Sequence, residues 1–244
     1  MPMCSMHVGG SQNTMPAALD ASRHFFVPYM REINFETAKV SKATEPAMTT
    51  ESQPLSIAVL LGTVRHERMG IRAASLVMRS LEERGHEAVL VDPMRTPLPL
   101  LDRMYKEYDA GTAPDVLETL ATLYRRVDGF LIVSAEYNHG IPPAMKNLLD
   151  HFLEEYFWRP SGIVCYSQGQ FGGVRAAMAL RATLAELGMP SVPSLCPIPH
   201  IGEVLDEYGK PTDPRTQKSL DRFLDEFFWY VRALQRQREE GTPY

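Results

Sequence analysis

The stretch GFLIVSAEYNHGIPPAMKN, Gly129 to Asn147, decides the fold. Gly129 to Ser134 is almost wholly apolar, the pattern of a strand buried on both faces rather than one alternating between core and water. The run breaks into a polar, aromatic turn, Glu136-Tyr137-Asn138-His139-Gly140, in which Gly140 is expected to let the chain turn. Pro142 and Pro143 are placed to start a helix carrying Ala144, Met145, Leu148, Leu149 and Phe152. A doubly buried strand that empties through a short loop into a helix is a building block of a parallel sheet covered by helices on both faces.

The same alternation continues on either side. Leu55 to Leu61 reads as a buried strand, followed by a helix from about Gly70 to Arg84 with Ile71, Ala74, Met78 and Leu81 on one face and Gly85 at its end. Ala88 to Val91 is a second strand, ahead of a loop with Pro93, Pro97 and Pro99. Pro114 suits the first turn of a helix bearing Leu117, Leu120, Leu123 and Val127. Ile163 to Tyr166 is a further strand, followed by a helix with Val174, Ala177, Met178, Arg181 and Leu184. Ser191 to Cys196 is a weaker strand whose prolines predict an edge position. The last helix, about Thr216 to Arg238, carries Leu220, Phe223, Leu224, Phe227, Val231 and Leu234. The prediction is an α/β three-layer sandwich with a five-stranded parallel sheet, one domain over residues 54–238. Residues 1–53 read as a flexible extension with an apolar cluster at Phe25 to Met30 and an alternative start at Met48, and residues 239–244 as a tail.

The chain of 244 residues is 44% apolar and 23% charged, ordinary for a globular protein with a sizeable core. A net charge of -5 argues against general binding to nucleic acid or anionic membranes. No run reaches the length of a membrane span, and the start has no basic-then-apolar secretory pattern. Three cysteines, Cys4, Cys165 and Cys196, without a CxxC pair fit a reducing compartment, so the expected location is the cytoplasm. The seven histidines show no metal-ligand spacing, and no metal is expected.

In an open parallel sheet ligands bind outside the carboxyl ends of the strands, and three unusual loops follow strands there. The first, Gly62 to Arg72 (GTVRHERMGIR), joins a strand to a helix start, where free N–H groups and the dipole favour an anion. Thr63 adds a hydroxyl, Arg65, Arg68 and Arg72 add positive charge, and Gly62 and Gly70 would let the backbone approach a ligand. The alternative is a solvated arginine face beside Glu67. The spacing matches neither a Walker loop nor GxGxxG, so Asp92 reads as a loop cap rather than a ribose-binding acid. The second loop is EYNHG. The third, Ser167 to Gly173 (SQGQFGG), has three glycines and two glutamines; it reads either as backbone amides approaching a flat group or as a tight turn before a helix. Together the loops describe a site with a phosphate end and a planar end.

These three segments, GTVRHERMG, SAEYNHGIPPAMKNLLDH and SQGQFGG, with the later VLDEYGKPTDPRTQKSLDRF, resemble the NADPH-dependent FMN reductases, over roughly Ser56 to Leu234. The resemblance implies a flavodoxin-like fold, bound FMN, and NADPH or NADH as hydride donor to quinones, azo compounds, free flavin or similar acceptors. It implies that Thr63, Arg65, Arg68, Gly70 and Ile71 hold the phosphate. Glu136, Tyr137, Asn138 and His139 would line the ribityl chain and ring, and Ser167, Gln168, Gly169 and Gly172 would close the other edge. Ala135 stands where many members have proline. The chemistry belongs to the flavin, so no side chain need be a nucleophile. Tyr137 is a candidate to pack on the ring or to anchor the turn, and His139 a candidate proton donor or a turn residue. Lys146 reads as a solvated helix-face lysine. Competing readings are a flavodoxin-type electron carrier and a binding protein that has lost its flavin. The aromatics Phe157, Trp158, Phe223, Phe227, Phe228, Trp229 and Tyr230 exceed what one core face needs and, with the resemblance, predict a homodimer or homotetramer.

Overall fold

The computed structural model describes residues 53–244; the cluster Phe25 to Met30 and Met48 lie outside the described residues. Five strands form one parallel sheet: β1 (Ser56–Leu61), β2 (Glu87–Val91), β3 (Gly129–Ala135), β4 (Ser161–Tyr166) and β5 (Ser191–Ile198). Their spatial order is β2-β1-β3-β4-β5, the flavodoxin-like order, with the switch in winding direction between β1 and β3. β3 and β4 are buried at every position, which accounts for their continuous apolar runs. β5 is an edge strand, as its prolines predict. Pro193 and Pro197 are exposed there and remove two N–H donors from the sheet's rim.

The helices are α1 (Gly70–Glu82), α2 (Asp115–Arg126), α3 (Pro143–Asp150), α4 (Val174–Glu186), the short α5 (Ile201–Val204) and α6 (Pro214–Glu240). α1 and α6 cover one sheet face, over Ile57, Val59, Leu131, Val133 and Val164. α2, α3 and α4 cover the other, over Ala58, Leu60, Phe130, Ile132 and Ile163. Successive residues of each strand point to opposite faces, so one apolar run serves both cores.

Three expectations need correction. α4 turns Ala176, Ala177, Leu180 and Leu184 inward, and Met178, expected on that face, is 51% exposed. On α6, Phe223 and Phe227 are core residues, as their apolar spacing predicts, and Phe228, counted among the surplus aromatics, is buried with them. The sheet makes room for the first two: Gly129 and Gly162 have no side chain there, and the Phe223 and Phe227 rings take up the space a Cβ would occupy. Of that helix's aromatics only Trp229 is strongly exposed. Finally, α6 starts at Pro214, capped by the Asp213 carboxylate accepting from the Arg215 N–H, and ends at Glu240, two residues further at each end than the apolar spacing indicates. Among the described residues no helix is long and apolar enough to cross a membrane.

Candidate functional site

A cleft of about 360 Å³ opens outside the carboxyl ends of β1, β3 and β4, beside the winding switch. Seven of the residues expected at the site line it: Thr63, Arg65 and Arg68 from the first loop, Glu136 and Tyr137 from the second, and Ser167 with Gln168 from the third. His66, Glu67, Met69, Ala135, Tyr166 and Ile201 complete the wall. Ala135 and Tyr166 end their strands, a position that could have flagged them; Ile201 starts the short α5 after β5, where the sequence carries no motif.

The first loop forms one end. Met69 stands at the N-cap of α1 and offers no side-chain cap, and the first turn holds no acid. No backbone hydrogen bond among the described residues takes the N–H groups of Glu67, Arg68, Met69, Gly70 or Ile71. A 13-residue helix thus presents uncapped N–H groups and its positive end beside the exposed Arg65. Such a cradle fits a phosphate. Ile71 and Gly70 are not on the cleft wall; Gly70 and Gly62 serve the protein's own packing. A Cβ on Gly70 would collide with the Tyr166 hydroxyl and come within 2.8 Å of Thr63 Cγ2, and one on Gly62 would lie 2.7 Å from Met145 Cε.

Arg68 is not a free cation. Its Nη1 donates to Asp92 Oδ1 at 2.6 Å and to the Thr63 carbonyl at 2.7 Å, and its Nη2 pairs with Asp92 Oδ2. Asp92, 2% exposed in its side chain, also accepts from the Met94 N–H, the loop-capping role its position suggested. Burial acts to raise the Asp92 carboxyl, but the Arg68 guanidinium and the Met94 N–H outweigh it and hold the group below its ordinary value.

The second loop forms the wall between the ends. Asn138 and His139 sit at φ 50° and 65°, and the Tyr137 and Gly140 backbones exchange hydrogen bonds around them. Two left-handed residues inside such a bridge make a type I′ turn. Asn138 and His139 therefore bend the chain, whereas Gly140, expected to do so, has no left-handed φ. Both are exposed and off the cleft wall. Tyr137 does line it, and its hydroxyl meets Thr63 Oγ1 at 2.7 Å, tying the second loop to the first. Arg65 lies 5.8 Å above the Tyr137 ring. Glu136 lines the cleft, yet its carboxylate is directed at α4, accepting from the N–H groups of Arg175 (2.9 Å) and Ala176 (3.2 Å).

The third loop closes the cleft against the first. Ser167 N–H is taken by the Ile198 carbonyl, and Ser167 Oγ donates to the Gly169 carbonyl. Gln168 Nε2 reaches Met69 Sδ at 2.7 Å, joining loops one and three across the cleft. Gly172 and Gly173 take left-handed φ values of 59° and 82°, so the tight turn before α4 is what these two glycines serve; Gly169 and Gly172 are off the wall. The cysteines of β4 and β5 are uninvolved: burial pushes the Cys165 and Cys196 thiols up to about 12.

The profile of the NADPH-dependent FMN reductases matches residues 55–202. The chain belongs to that family. Among relatives, a quinone reductase of Pseudomonas putida is 30% identical over 190 residues, covering 74% of this chain and 97% of that protein. A 2-hydroxy-1,4-benzoquinone reductase of a Burkholderia species is 29% identical over 185 residues, 73% of this chain and 97% of the relative. Among solved structures, a flavoenzyme NAD(P)H:(acceptor) oxidoreductase from Paracoccus denitrificans superposes with a TM-score of 0.61 at 22% identity, covering 73% of this chain and 98% of that one. The chain thus shares its fold with a flavoenzyme, and the family's matched region contains all three loops of the cleft.

Proposed function

We propose that this FMN reductase binds FMN in the cleft and transfers hydride equivalents from NADPH or NADH to quinone-type acceptors. The observation that carries the reading is the uncapped N-terminus of α1, with Arg65 beside it, opening into the same cleft as the second and third loops. One end is built for an anion and the rest is an open wall of Tyr137, Tyr166 and loop backbone. The quinone reductases among the relatives support the acceptor class; azo compounds, free flavin and chromate are further acceptors to test.

When bound, the flavin supplies the redox chemistry, taking a hydride from the nicotinamide and passing its electrons to an acceptor. The chain's own residues bind and orient. Arg65 and the first N–H groups of α1 hold the phosphate, and the Arg68–Asp92 pair fixes the loop that presents them. The Thr63–Tyr137 hydrogen bond holds the Tyr137 ring as the middle wall. The N–H group of Gln168, a wall residue whose N–H no backbone carbonyl among the described residues takes, is the donor left to the ring's polar edge. His139 acts as a turn residue rather than as a proton donor. Lys146, paired with Asp150 one helical turn along α3, is a helix-face lysine.

Assembly into a homodimer or a dimer of dimers is part of the same proposal and rests on the family resemblance; of the α6 aromatics only Trp229, 66% exposed, is left for an interface. The thiols, buried and reduced on adjacent strands, suit the cytoplasm. Flavin released from the purified protein, identified by mass, tests the cofactor. A panel of quinones, azo dyes, free FMN and chromate under anaerobic NADPH or NADH oxidation tests the acceptor, and light scattering tests the assembly. A flavin-loaded protein without acceptor-dependent NAD(P)H oxidation is a flavodoxin-type carrier; a protein that takes up no flavin is a binding protein on the same fold.

A further inference from the structure

Glu136 is a cleft residue whose carboxylate does something other than meet a ligand. Its side chain is 11% exposed. Oε2 accepts the N–H groups of Arg175 and Ala176, the second and third residues of α4, and Oε1 lies 3.3 Å from Arg175 Nη1. α4 has no cap of its own, because Gly173 stands at the N-cap and its first turn holds no acid. Glu136, 39 residues earlier in the chain, is therefore the cap, and it carries a full negative charge to a helix end whose dipole is positive. The Arg175 guanidinium in turn lies 4.3 Å from the Phe171 ring in the third loop. One carboxylate thus links the second loop, the third loop and α4.

Three charges meet at this end of the cleft: the Glu136 carboxylate, the Arg175 guanidinium and the partial positive charge of the α4 terminus. They nearly cancel. Glu136 lines the cleft in which the flavin would sit, so the charges it gathers at the α4 terminus lie beside that cleft. We infer that Glu136 is a positioning residue that sets the redox potential of the bound flavin by offsetting Arg175 and the α4 terminus. The inference rests on the reading of the cleft as an FMN site. Reduction adds negative charge to the ring, so a more positive surrounding raises the potential and a more negative one lowers it. Part-burial limits screening by solvent, so removing either member of the pair alters the field felt in the cleft.

The test is the midpoint potential of bound FMN, measured spectroelectrochemically on the FMN-loaded wild type, Glu136→Gln, Arg175→Gln and the double variant. Gln at 136 keeps an oxygen that accepts the α4 N–H groups, so it removes the charge while retaining the cap. Glu136→Gln is expected to shift the potential positive, Arg175→Gln to shift it negative, and the double variant to return toward the wild type. Opposite signs are the signature, because merely loosening the contact moves both single variants the same way. Shifts of equal sign, or none, overturn the inference while leaving the FMN reading intact. A wild type that takes up no FMN overturns that reading and the inference with it. Glu136→Asp, which keeps the charge on a shorter arm, guards against a misfolded Gln variant: a potential near the wild type supports the charge account, and a positive shift as large as that of Gln contradicts it.

Discussion

The Arg68 guanidinium grips both carboxylate oxygens of Asp92, so the loop after β1 is fastened to the end of β2 by a pair that water hardly reaches. Arg68, which the resemblance assigns to the phosphate, thereby holds its loop in place as well as lining the cleft.

Asp92→Asn leaves Arg68 as a part-buried cation without a counter-charge. Breaking a buried pair from one side costs about 3–5 kcal/mol, and the amide's remaining hydrogen bonds should keep the loss nearer about 2–3 kcal/mol. The Asp92 carboxyl is held below its ordinary value of about 3.9. A carboxyl depressed in the folded state stabilises the fold above its unfolded value, and that stability is lost as pH falls through the folded value. The wild type should therefore lose stability below about pH 4 more steeply than Asp92→Asn. Chemical denaturation across that range checks both the size and the slope.

Arg65 is exposed and, among the described residues, has no acidic partner, so its removal should spare the fold and strike the ligand. Arg65→Gln should weaken FMN binding by about 10- to 100-fold, the worth of a charge-assisted hydrogen bond or two, and leave riboflavin binding nearly unchanged. Fluorescence titration of both flavins separates a phosphate contact from a general loosening.

Gly70→Ala puts a methyl group where the Tyr166 hydroxyl and Thr63 Cγ2 already are. Overpacking there should cost about 1–3 kcal/mol and disturb the Thr63–Tyr137 hydrogen bond. Thermal melting should show the loss, and flavin affinity should fall with it.

His139 occupies a left-handed turn position outside the cleft wall. His139→Gly should be neutral or stabilising by up to about 1 kcal/mol, since glycine adopts that φ without a Cβ penalty, and kcat should be retained. A proton-donor role requires the opposite, a fall in kcat with the fold intact.

Most of the fold was legible because the information is local. Doubly buried strands such as Phe130 to Ser134 read as unbroken apolar runs, and Pro143 and Gly85 mark helix ends in the sequence itself. What escaped depends on partners far along the chain. Phe228, an aromatic beyond the apolar stripe of its helix, proves to be buried against the ring of His86, far earlier in the chain. In the site, motif spacing located all three loops but not the direction of each side chain. Glu136 and Arg68 were both assigned to the ligand, yet Arg175 and Asp92 satisfy them first, and no spacing rule encodes a pairing across 39 or 24 residues. Tyr137 was open between ring packing and turn anchoring, and its bond to Thr63 together with its place on the wall leaves room for both.

The central claim, that the cleft turns over NAD(P)H through FMN for a quinone-type acceptor, is tested most directly by steady-state kinetics of the FMN-loaded protein with NADPH or NADH and a simple 1,4-benzoquinone under anaerobic conditions. The account predicts acceptor-dependent oxidation with parallel double-reciprocal lines, as donor and acceptor take turns in one cleft. Nicotinamide oxidation no faster than with free FMN, at full flavin occupancy, would contradict it.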